Sequence, residues 1–173
     1  MSRIKDATVL ITGGASGIGK LMGEICLQEG AKRLIIWDID RRKTESFSAE
    51  LLSKGFEVHT YLTDVSNVEQ IVSAAKDIKQ KFGAVDILFN NAGVIAGNKP
   101  FHQNTHHDIN FTMSINTDAL MHVALEFLPG MIEQKRGHIV NISSAAGILA
   151  VPKMSVYVAS KHAVIGWGES MRL

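Results

Sequence analysis

The sequence predicts an α/β fold, a doubly wound parallel sheet, from three observations. Short apolar runs alternate with longer amphipathic runs along the whole chain, and glycine or asparagine separates them. The short runs are apolar on both faces, which is typical of strands in a parallel sheet that helices cover on two sides. The unusual polar clusters all follow these runs, as ligand-binding loops do beyond the carboxyl ends of such strands.

The first half of the chain predicts three strand–helix units. The apolar run at 7–12 predicts a strand, and the amphipathic run at 17–30 predicts a helix that Gly30 closes. The next two units repeat this pattern, and Gly55 ends the second helix. Their strands are expected at 33–38 and 56–64, and their helices at 41–55 and 67–83.

The second half predicts two further strands and two further helices, at 85–93, about 108–134, 137–144 and from 155 onward. The long helix between the two strands contains Pro129 and Gly130, which are expected to bend or break it near its end. One face of this helix is expected to be buried, and its apolar residues are Met113, Leu120, Met121 and Leu125.

Length and composition indicate one domain, residues 1–173, with 46% hydrophobic and 20% charged residues. A net charge of +1 gives no reason to expect nucleic acid or an anionic membrane as a partner. The single cysteine, Cys26, excludes an internal disulfide and is expected in the core. Because the chain lacks a secretory signal and any apolar run near the roughly 18 residues of a membrane span, a cytoplasmic protein is expected.

Three histidines, His102, His106 and His107, lie close together in a predicted loop. No cysteine or acidic partner completes a plausible ligand set, so no metal site is expected.

A glycine-rich loop, "TGGASGIG" at 12–19, follows the first strand and opens the first helix. Gly13 permits a tight turn, Gly17 lets the backbone approach a pyrophosphate, and Gly19 lets the helix pack closely. The helix N-terminus offers free N–H groups and a partial positive charge to the phosphates. A purely structural turn is the alternative interpretation, but the position between strand and helix favours a nucleotide site.

Asp38 ends the second strand, nineteen residues after Gly19. An acidic side chain at about this separation meets the ribose hydroxyls of adenosine and repels a 2′-phosphate, so NAD is favoured over NADP. Ser16 stands where a basic residue would hold that phosphate, which indicates the same cofactor. Arg41 and Arg42 keep NADP as an alternative, unless they are solvated charges of the next helix.

Further motifs follow in a fixed order, and with the glycine-rich loop they resemble the classical short-chain dehydrogenase/reductases over essentially the whole chain. Ser144 precedes Tyr157 by thirteen residues, and Asn116 precedes it by forty-one, as in that family. The motifs are "TDVS" at 63–66, "NNAG" at 90–93, "INTDA" at 115–119, "GHIVNISSAAG" at 137–147 and "YVASK" at 157–161.

The resemblance implies a Rossmann-like domain that binds NAD, with NADP the less favoured cofactor. It places the "NNAG" turn against the sheet and along the cofactor cleft. The residues expected to bind the cofactor are Gly13, Ser16, Gly17, Ile18, Gly19, Asp38, Asp64, Val65, Asn91, Ala92, Gly93, Tyr157 and Lys161.

The chemistry is expected to centre on Tyr157 and Lys161, which share one helix face at i and i+4. A free phenol has a pKa near ~10, but a neighbouring ammonium and a positive nicotinamide ring stabilise the phenolate and lower that value. Tyr157 is therefore expected to exchange a proton with a substrate hydroxyl or carbonyl while nicotinamide exchanges hydride with the adjacent carbon.

The resemblance implies two further catalytic residues. Ser144 is expected to donate a hydrogen bond to the substrate oxygen, and Asn116 to hold a water that extends the proton path from Lys161. Ser143 is the alternative hydroxyl, but side chains alternate along a strand, and the thirteen-residue spacing selects Ser144.

Members of this family usually have roughly 250 residues and continue past the tyrosine-bearing helix. The chain is therefore expected to be truncated at its C-terminus and to lack the family's last strands. Three interpretations stay open: part of an NAD-dependent dehydrogenase, a non-catalytic protein that binds NAD or a partner subunit, and a fragment without ligand. The apolar run at 147–156 favours a hydrophobic secondary alcohol or ketone as substrate, and the full-length family member is expected to form a homodimer or homotetramer. The resemblance also implies that part of the apolar face of the helix at 108–134 is a subunit interface, as the alternative to burial in the core.

Overall fold

A computed structural model of the protein describes residues 3–172, so both ends of the predicted domain, 1–2 and 173, lie outside the described residues. The strands are β1 Thr8–Thr12, β2 Arg33–Asp38, β3 Val58–Leu62, β4 Ile87–Asn90 and β5 His138–Asn141. The helices are α1 Gly17–Gln28, α2 Arg41–Ser53, α3 Val68–Phe82, α4 His106–Met113, α5 Ala119–Glu133 and α6 Ser155–Ser170.

The five strands form one parallel sheet in the order β3-β2-β1-β4-β5. The predicted doubly wound α/β fold is therefore confirmed. β1 lies at the centre, and the chain turns to opposite sides of it, first through β2 and later through β4. Such a reversal opens a crevice beyond the carboxyl ends of the central strands.

The core lies on both faces of the sheet because successive residues of the central strands point to opposite sides. Leu10 of β1 and Ile35 of β2 pack with α3 and α5 on one face. Val9 and Ile11 pack with α1 and α2 on the other face, where Cys26 is buried as expected. Burial raises the pKa of the Cys26 thiol.

Burial on both faces was expected of all strands but holds best for the central ones. β1 is buried throughout, whereas β3 alternates between buried and more exposed residues, and His138 of β5 is exposed. β3 and β5 are the edge strands, so each has one neighbouring strand and less cover. Most strands are also shorter than predicted, since the predicted strand ends at 63–64, 91–93 and 142–144 are irregular loop.

The predicted long helix differs from the observed one. It begins at His106 as α4, passes through a π-helical turn at Ser114–Asp118 and continues as α5. Pro129 and Gly130 do not break the helix, since both lie inside α5, and their bending of it stays a prediction. Pro129 is exposed, so water can bond the carbonyl that its missing N–H leaves without a helical donor.

The buried face predicted for this helix is only partly correct. Leu120 is buried, but Met121 is exposed and Leu125 is 69% exposed. Together with Ile132, which is also exposed, they form an apolar stripe on the outer side of α5. In the part of the chain that the structure describes, no helix is long and apolar enough to cross a membrane.

Candidate active site

A cavity of about 300 Å³ lies beyond the carboxyl ends of β1, β2 and β4. It gathers predicted cofactor-binding residues from four separate loops, which the sequence separates by up to eighty positions. Its walls include Gly13, Ser16, Asp38, Asp64, Val65, Asn91, Ala92 and Gly93.

The glycine-rich loop forms one side of this crevice. Gly13 and Gly17 have φ values of +62° and +55°, which side chains other than glycine rarely adopt. Gly19 is buried against the loop itself, because a Cβ there would collide with the Gly13 carbonyl oxygen and the Asn91 amide. Ser16, Gly17 and Ile18 are exposed at the start of α1, and within residues 3–172 the Ser16 side chain caps no N–H of that helix. This helix end is therefore open to an anion.

A hydrogen-bonded brace joins the loops after β1 and β4. The Asn91 Nδ2 group donates to the carbonyls of Thr12 and Gly13, at 2.9 and 3.1 Å. The backbone N–H groups of Asn91 and Ala92 donate to Thr12 Oγ1, at 3.0 and 3.1 Å. The Asn91 side chain thus holds the glycine-rich loop in place, and Asn91 also lines the crevice.

Sequence reasoning gave Thr12 no role. The available signal was its position: it is a hydroxyl at the carboxyl end of the central strand, directly before the first glycine.

Asp38 lies at the end of β2 with its carboxylate oriented by backbone donors. Its Oδ2 atom accepts a hydrogen bond from the Ala15 N–H, and its Oδ1 atom accepts one from the Asp40 N–H, both at 3.0 Å. Asp64 is held similarly, because its Oδ1 atom accepts bonds from the N–H and hydroxyl of Ser66, at 2.9 and 2.7 Å. Both carboxylates line the crevice, where Asp38 is predicted to meet the ribose hydroxyls of adenosine and Asp64 is predicted to bind the cofactor.

Lys161 approaches this crevice from α6. Its side chain is buried, with 4% of the residue exposed, and Nζ donates to the Ile142 carbonyl at 2.9 Å. Burial lowers the pKa of this ammonium, because the apolar surroundings disfavour its charged form. Nζ lies 5.8 Å from the centre of the half-buried Tyr157 ring, as expected for positions i and i+4.

Asn116 lies fully buried in the π-helical turn between α4 and α5. Its Oδ1 atom accepts a bond from the Val94 N–H at 2.8 Å, and its Nδ2 atom donates to the Val94 carbonyl at 2.9 Å. A Cβ on Gly93 would lie 3.4 Å from Asn116 Oδ1 and 3.5 Å from Lys161 Nζ. Gly93 therefore lies next to both of these predicted catalytic residues, and an added Cβ would touch each at ordinary van der Waals distance.

The two neighbouring serines after β5 differ in their contacts. The Ser143 hydroxyl donates to the Lys161 carbonyl at 2.9 Å, which ties the end of the strand to α6. Ser144 Oγ accepts a bond from the Ala146 N–H at 3.1 Å, so its hydroxyl hydrogen can still be donated to another group. These contacts favour Ser144 over Ser143 as the hydroxyl for the substrate.

The predicted histidine loop contains short helices instead. His102 lies in a 3₁₀ turn at Phe101–Gln103, and His106 and His107 form the first turn of α4. Among the described residues, no group of three or more His, Cys, Asp and Glu side chains is placed to hold a metal ion.

A larger cavity, of about 1060 Å³, lies away from these residues, along β5 and between the C-terminal parts of α5 and α6. Leu128, Ile139 and Trp167 belong to its lining. Because none of the predicted catalytic or cofactor-binding residues lines it, the smaller crevice remains the candidate site despite its size.

The chain is similar to known proteins over most of its length. The family model for short chain dehydrogenases matches residues 7–173. Human estradiol 17-beta-dehydrogenase 11 is 39% identical over 166 residues, covering 94% of this chain and 54% of that protein. The chain therefore spans about half the length of the curated relatives it matches.

Solved structures give the same result. A short-chain dehydrogenase/reductase from Burkholderia phymatum in complex with NAD has a TM-score of 0.94 and 35% identity, covering 99% of this chain and 60% of that chain. A metagenomic short-chain oxidoreductase in complex with NADP has a TM-score of 0.92 and 30% identity, covering 96% and 75%. The chain belongs to the short-chain dehydrogenase/reductase family.

Proposed function

We propose that this chain carries the NAD-binding and catalytic residues of an oxidoreductase that interconverts a hydrophobic secondary alcohol and its ketone. The observation that carries the proposal is the pair of Tyr157 and the buried Lys161 on α6, at the same end of the sheet as the glycine-rich loop. Family membership makes oxidoreductase chemistry on CH–OH groups the expected reaction class.

The crevice residues fit a dinucleotide. The turn at Gly13 and Gly17 leaves the start of α1 open, and that open helix end suits a pyrophosphate. The oriented carboxylate of Asp38 suits the adenosine ribose hydroxyls and opposes a 2′-phosphate, which supports NAD over NADP. Related solved structures bind either cofactor, so this preference rests on Asp38 itself.

The bound nicotinamide would supply or accept the hydride, and the protein's residues manage the proton. Tyr157 would give its phenolic proton to a ketone oxygen, or take one from an alcohol. Lys161, as an ammonium, would stabilise the phenolate and bind the nicotinamide ribose hydroxyls. Its bond to the Ile142 carbonyl holds Nζ behind the tyrosine, so little reorganisation is needed.

Ser144 and Asn116 would complete the site. Ser144 can direct its hydroxyl hydrogen to the substrate oxygen, since its Oγ atom already accepts from Ala146. The Asn116 side chain uses both amide hydrogens within the protein, so a water there must bond its remaining Oδ1 lone pair or a backbone group.

The apolar surface beside the site supports a hydrophobic substrate. Ile148 and Leu149 follow Ser144 and are 74% and 67% exposed, and Val151 is also exposed. Apolar side chains exposed together next to a catalytic group are typical of a substrate surface. The steroid alcohol in the name of the human relative belongs to the same chemical class.

The test is turnover by the 173-residue chain with NAD and either estradiol or a medium-chain secondary alkanol, read as formation of NADH. The proposal expects NADH to form and its fluorescence to increase on binding. Binding of NADH without turnover of any alcohol or ketone would contradict catalysis by this chain.

A second candidate is a non-catalytic protein that binds NAD or a partner subunit, and the apolar stripe of α5 supports subunit binding. Met121, Leu125 and Ile132 are exposed apolar side chains that a second subunit would cover. For either function, a homodimer or homotetramer in the cytoplasm is proposed for the full-length protein. Light scattering that gives a monomer of the full-length protein at micromolar concentration would contradict this assembly.

A further inference from the structure

A buried serine links two of the predicted catalytic elements. Ser160 is fully buried on α6, directly before Lys161. Its hydroxyl donates to the Tyr157 carbonyl at 2.7 Å and accepts a hydrogen bond from Asn116 Nδ2 at 3.1 Å. One hydroxyl therefore joins the backbone of its own helix, at Tyr157, to the Asn116 side chain in the π-helical turn.

The Asn116 amide depends on this hydroxyl for its orientation. Its two N–H groups donate to the Val94 carbonyl and to Ser160 Oγ, and its oxygen accepts from the Val94 N–H. Without Ser160 Oγ, one buried N–H would lose its partner. The amide would then rotate or shift to find another acceptor, and its hydrogen bonds with Val94 would be lost.

We propose that Ser160 is a positioning residue that sets Asn116 against the Tyr157–Lys161 pair. The inference rests on the proposed function, because it concerns the proton path of that same site. Ser160 touches neither substrate nor cofactor in this role. It acts through Asn116 and through the backbone of Tyr157, so its loss should slow proton transfer without weakening substrate binding.

Thr117 provides a matched control because it joins the same two elements in another way. Its hydroxyl donates to the Ser160 carbonyl at 3.3 Å, and the residue is buried. Thr117→Val removes that bond with little change of shape and leaves the three hydrogen bonds of the Asn116 amide in place. A merely structural role for Ser160 would make Ser160→Ala and Thr117→Val behave alike.

The kinetic test compares these variants in the full chain with NAD and a secondary alkanol. Ser160→Ala should lower kcat about tenfold, leave KM within about twofold and move the pH dependence of kcat, whereas Thr117→Val should change each by less than about twofold. In an Asn116→Ala background, Ser160→Ala should cost less than about twofold more, because the two residues act as a unit. Equal losses for the two single variants, or full additivity, would overturn the inference.

A second measurement separates this inference from the proposed function. The side-chain amide of Asn116, observed by ¹⁵N NMR, should shift and exchange faster with solvent in Ser160→Ala but not in Thr117→Val. An inactive wild-type protein with this NMR pattern would contradict the proposed function while retaining the link. An unchanged Asn116 amide in Ser160→Ala would overturn the positioning role whatever the activity.

Discussion

The two halves of the sheet on either side of β1 hold their functional residues in different ways. On the β2 side, backbone groups shape the site. The glycine-rich loop turns through the positive φ values of Gly13 and Gly17, and backbone N–H groups orient Asp38. On the β4 side, buried side chains shape it, since Asn116 donates to the Ser160 hydroxyl and Lys161 donates to the Ile142 carbonyl.

The two sides of the sheet should therefore be sensitive to different kinds of substitution. A buried polar side chain costs free energy unless it is hydrogen-bonded, and each of these three has a partner. The β4 side, called the catalytic half because it holds the predicted catalytic residues, should therefore be sensitive to the loss of single polar groups. The β2 side, called the cofactor half because it holds the glycine-rich loop and Asp38, should be sensitive to an added side chain at Gly19, where there is no space for a Cβ.

The largest effect is expected from the tyrosine of the catalytic half. Tyr157→Phe removes the hydroxyl that would transfer the proton, so turnover should fall on the order of 10³-fold while NADH affinity changes less than about threefold. Steady-state rates and NADH fluorescence titration measure the two quantities.

Tyr61, the second of the two tyrosines, gives the matched control. Its hydroxyl donates to Asp77 at 2.7 Å and does not line the cavity, so Tyr61→Phe should keep its turnover. Equal rates for the two variants would show that Tyr157 carries no chemistry.

The next effect concerns the cofactor half. In Gly19→Ala the new methyl group collides with the Gly13 carbonyl and the Asn91 amide, so NADH affinity should fall roughly tenfold to a hundredfold. Gly166→Ala is the control, since a Cβ there meets open space on α6 and should stabilise the helix by about 0.5–1 kcal/mol. Titration calorimetry measures the NADH affinity, and thermal unfolding measures the stability. An unchanged affinity in Gly19→Ala would show that the collision at Gly19 does not affect cofactor binding.

A smaller effect is expected for cofactor preference. Asp38→Asn removes the charge that opposes a 2′-phosphate, so the ratio of NAD to NADP affinity should fall about tenfold. Asp40→Asn changes a neighbouring carboxylate that caps α2 through the Lys43 N–H, and asparagine can keep this cap. That control should leave the ratio unchanged, and an Asp38→Asn protein with the wild-type ratio would argue against Asp38 as the determinant.

The smallest effect is a pH dependence of stability that comes from Lys161. Burial lowers its pKa below the ordinary 10.5, so between the folded and unfolded values the unfolded chain binds more protons. The free energy of unfolding should then rise with pH through this window relative to Lys161→Met.

The exposed Lys54 provides a control of opposite sign. Hydrogen bonding to Glu50 raises the pKa of Lys54, so the stability it contributes is lost as pH rises through the folded value. Urea unfolding of wild type, Lys161→Met and Lys54→Met between neutral and alkaline pH measures how the free energy of unfolding changes with pH. The same slope for both would contradict the burial of Lys161.

The sequence places the crevice residues near one another because their determinants are local, while their contact with a cofactor stays a prediction. Turn glycines, an open helix start and an acidic strand end each act within a few residues, so they can be read from spacing. Tyr157 and Lys161 are equally local, since they are one helical turn apart. The doubly wound sheet follows from apolar runs long enough to give a clear pattern.

The remaining features could not be read because they depend on contacts between distant parts of the chain. The brace from Thr12 to Asn91 spans 79 residues, and the link from Asn116 to Ser160 spans 44. The exposure of Leu125 depends on which face of α5 meets the sheet, and hydropathy alone assigned it to the core. Pro129 is tolerated because its side of the helix is exposed, which local propensity does not reveal.

The proposed chemistry depends most on a dinucleotide that binds the glycine-rich loop next to Tyr157. Calorimetric titration of the folded wild-type chain with NADH, beside Tyr157→Phe and Gly19→Ala, tests this directly. We expect saturable heat at a stoichiometry of about one for wild type and Tyr157→Phe, with much weaker binding for Gly19→Ala. No heat with the wild-type protein, or equal affinity for all three proteins, would contradict it.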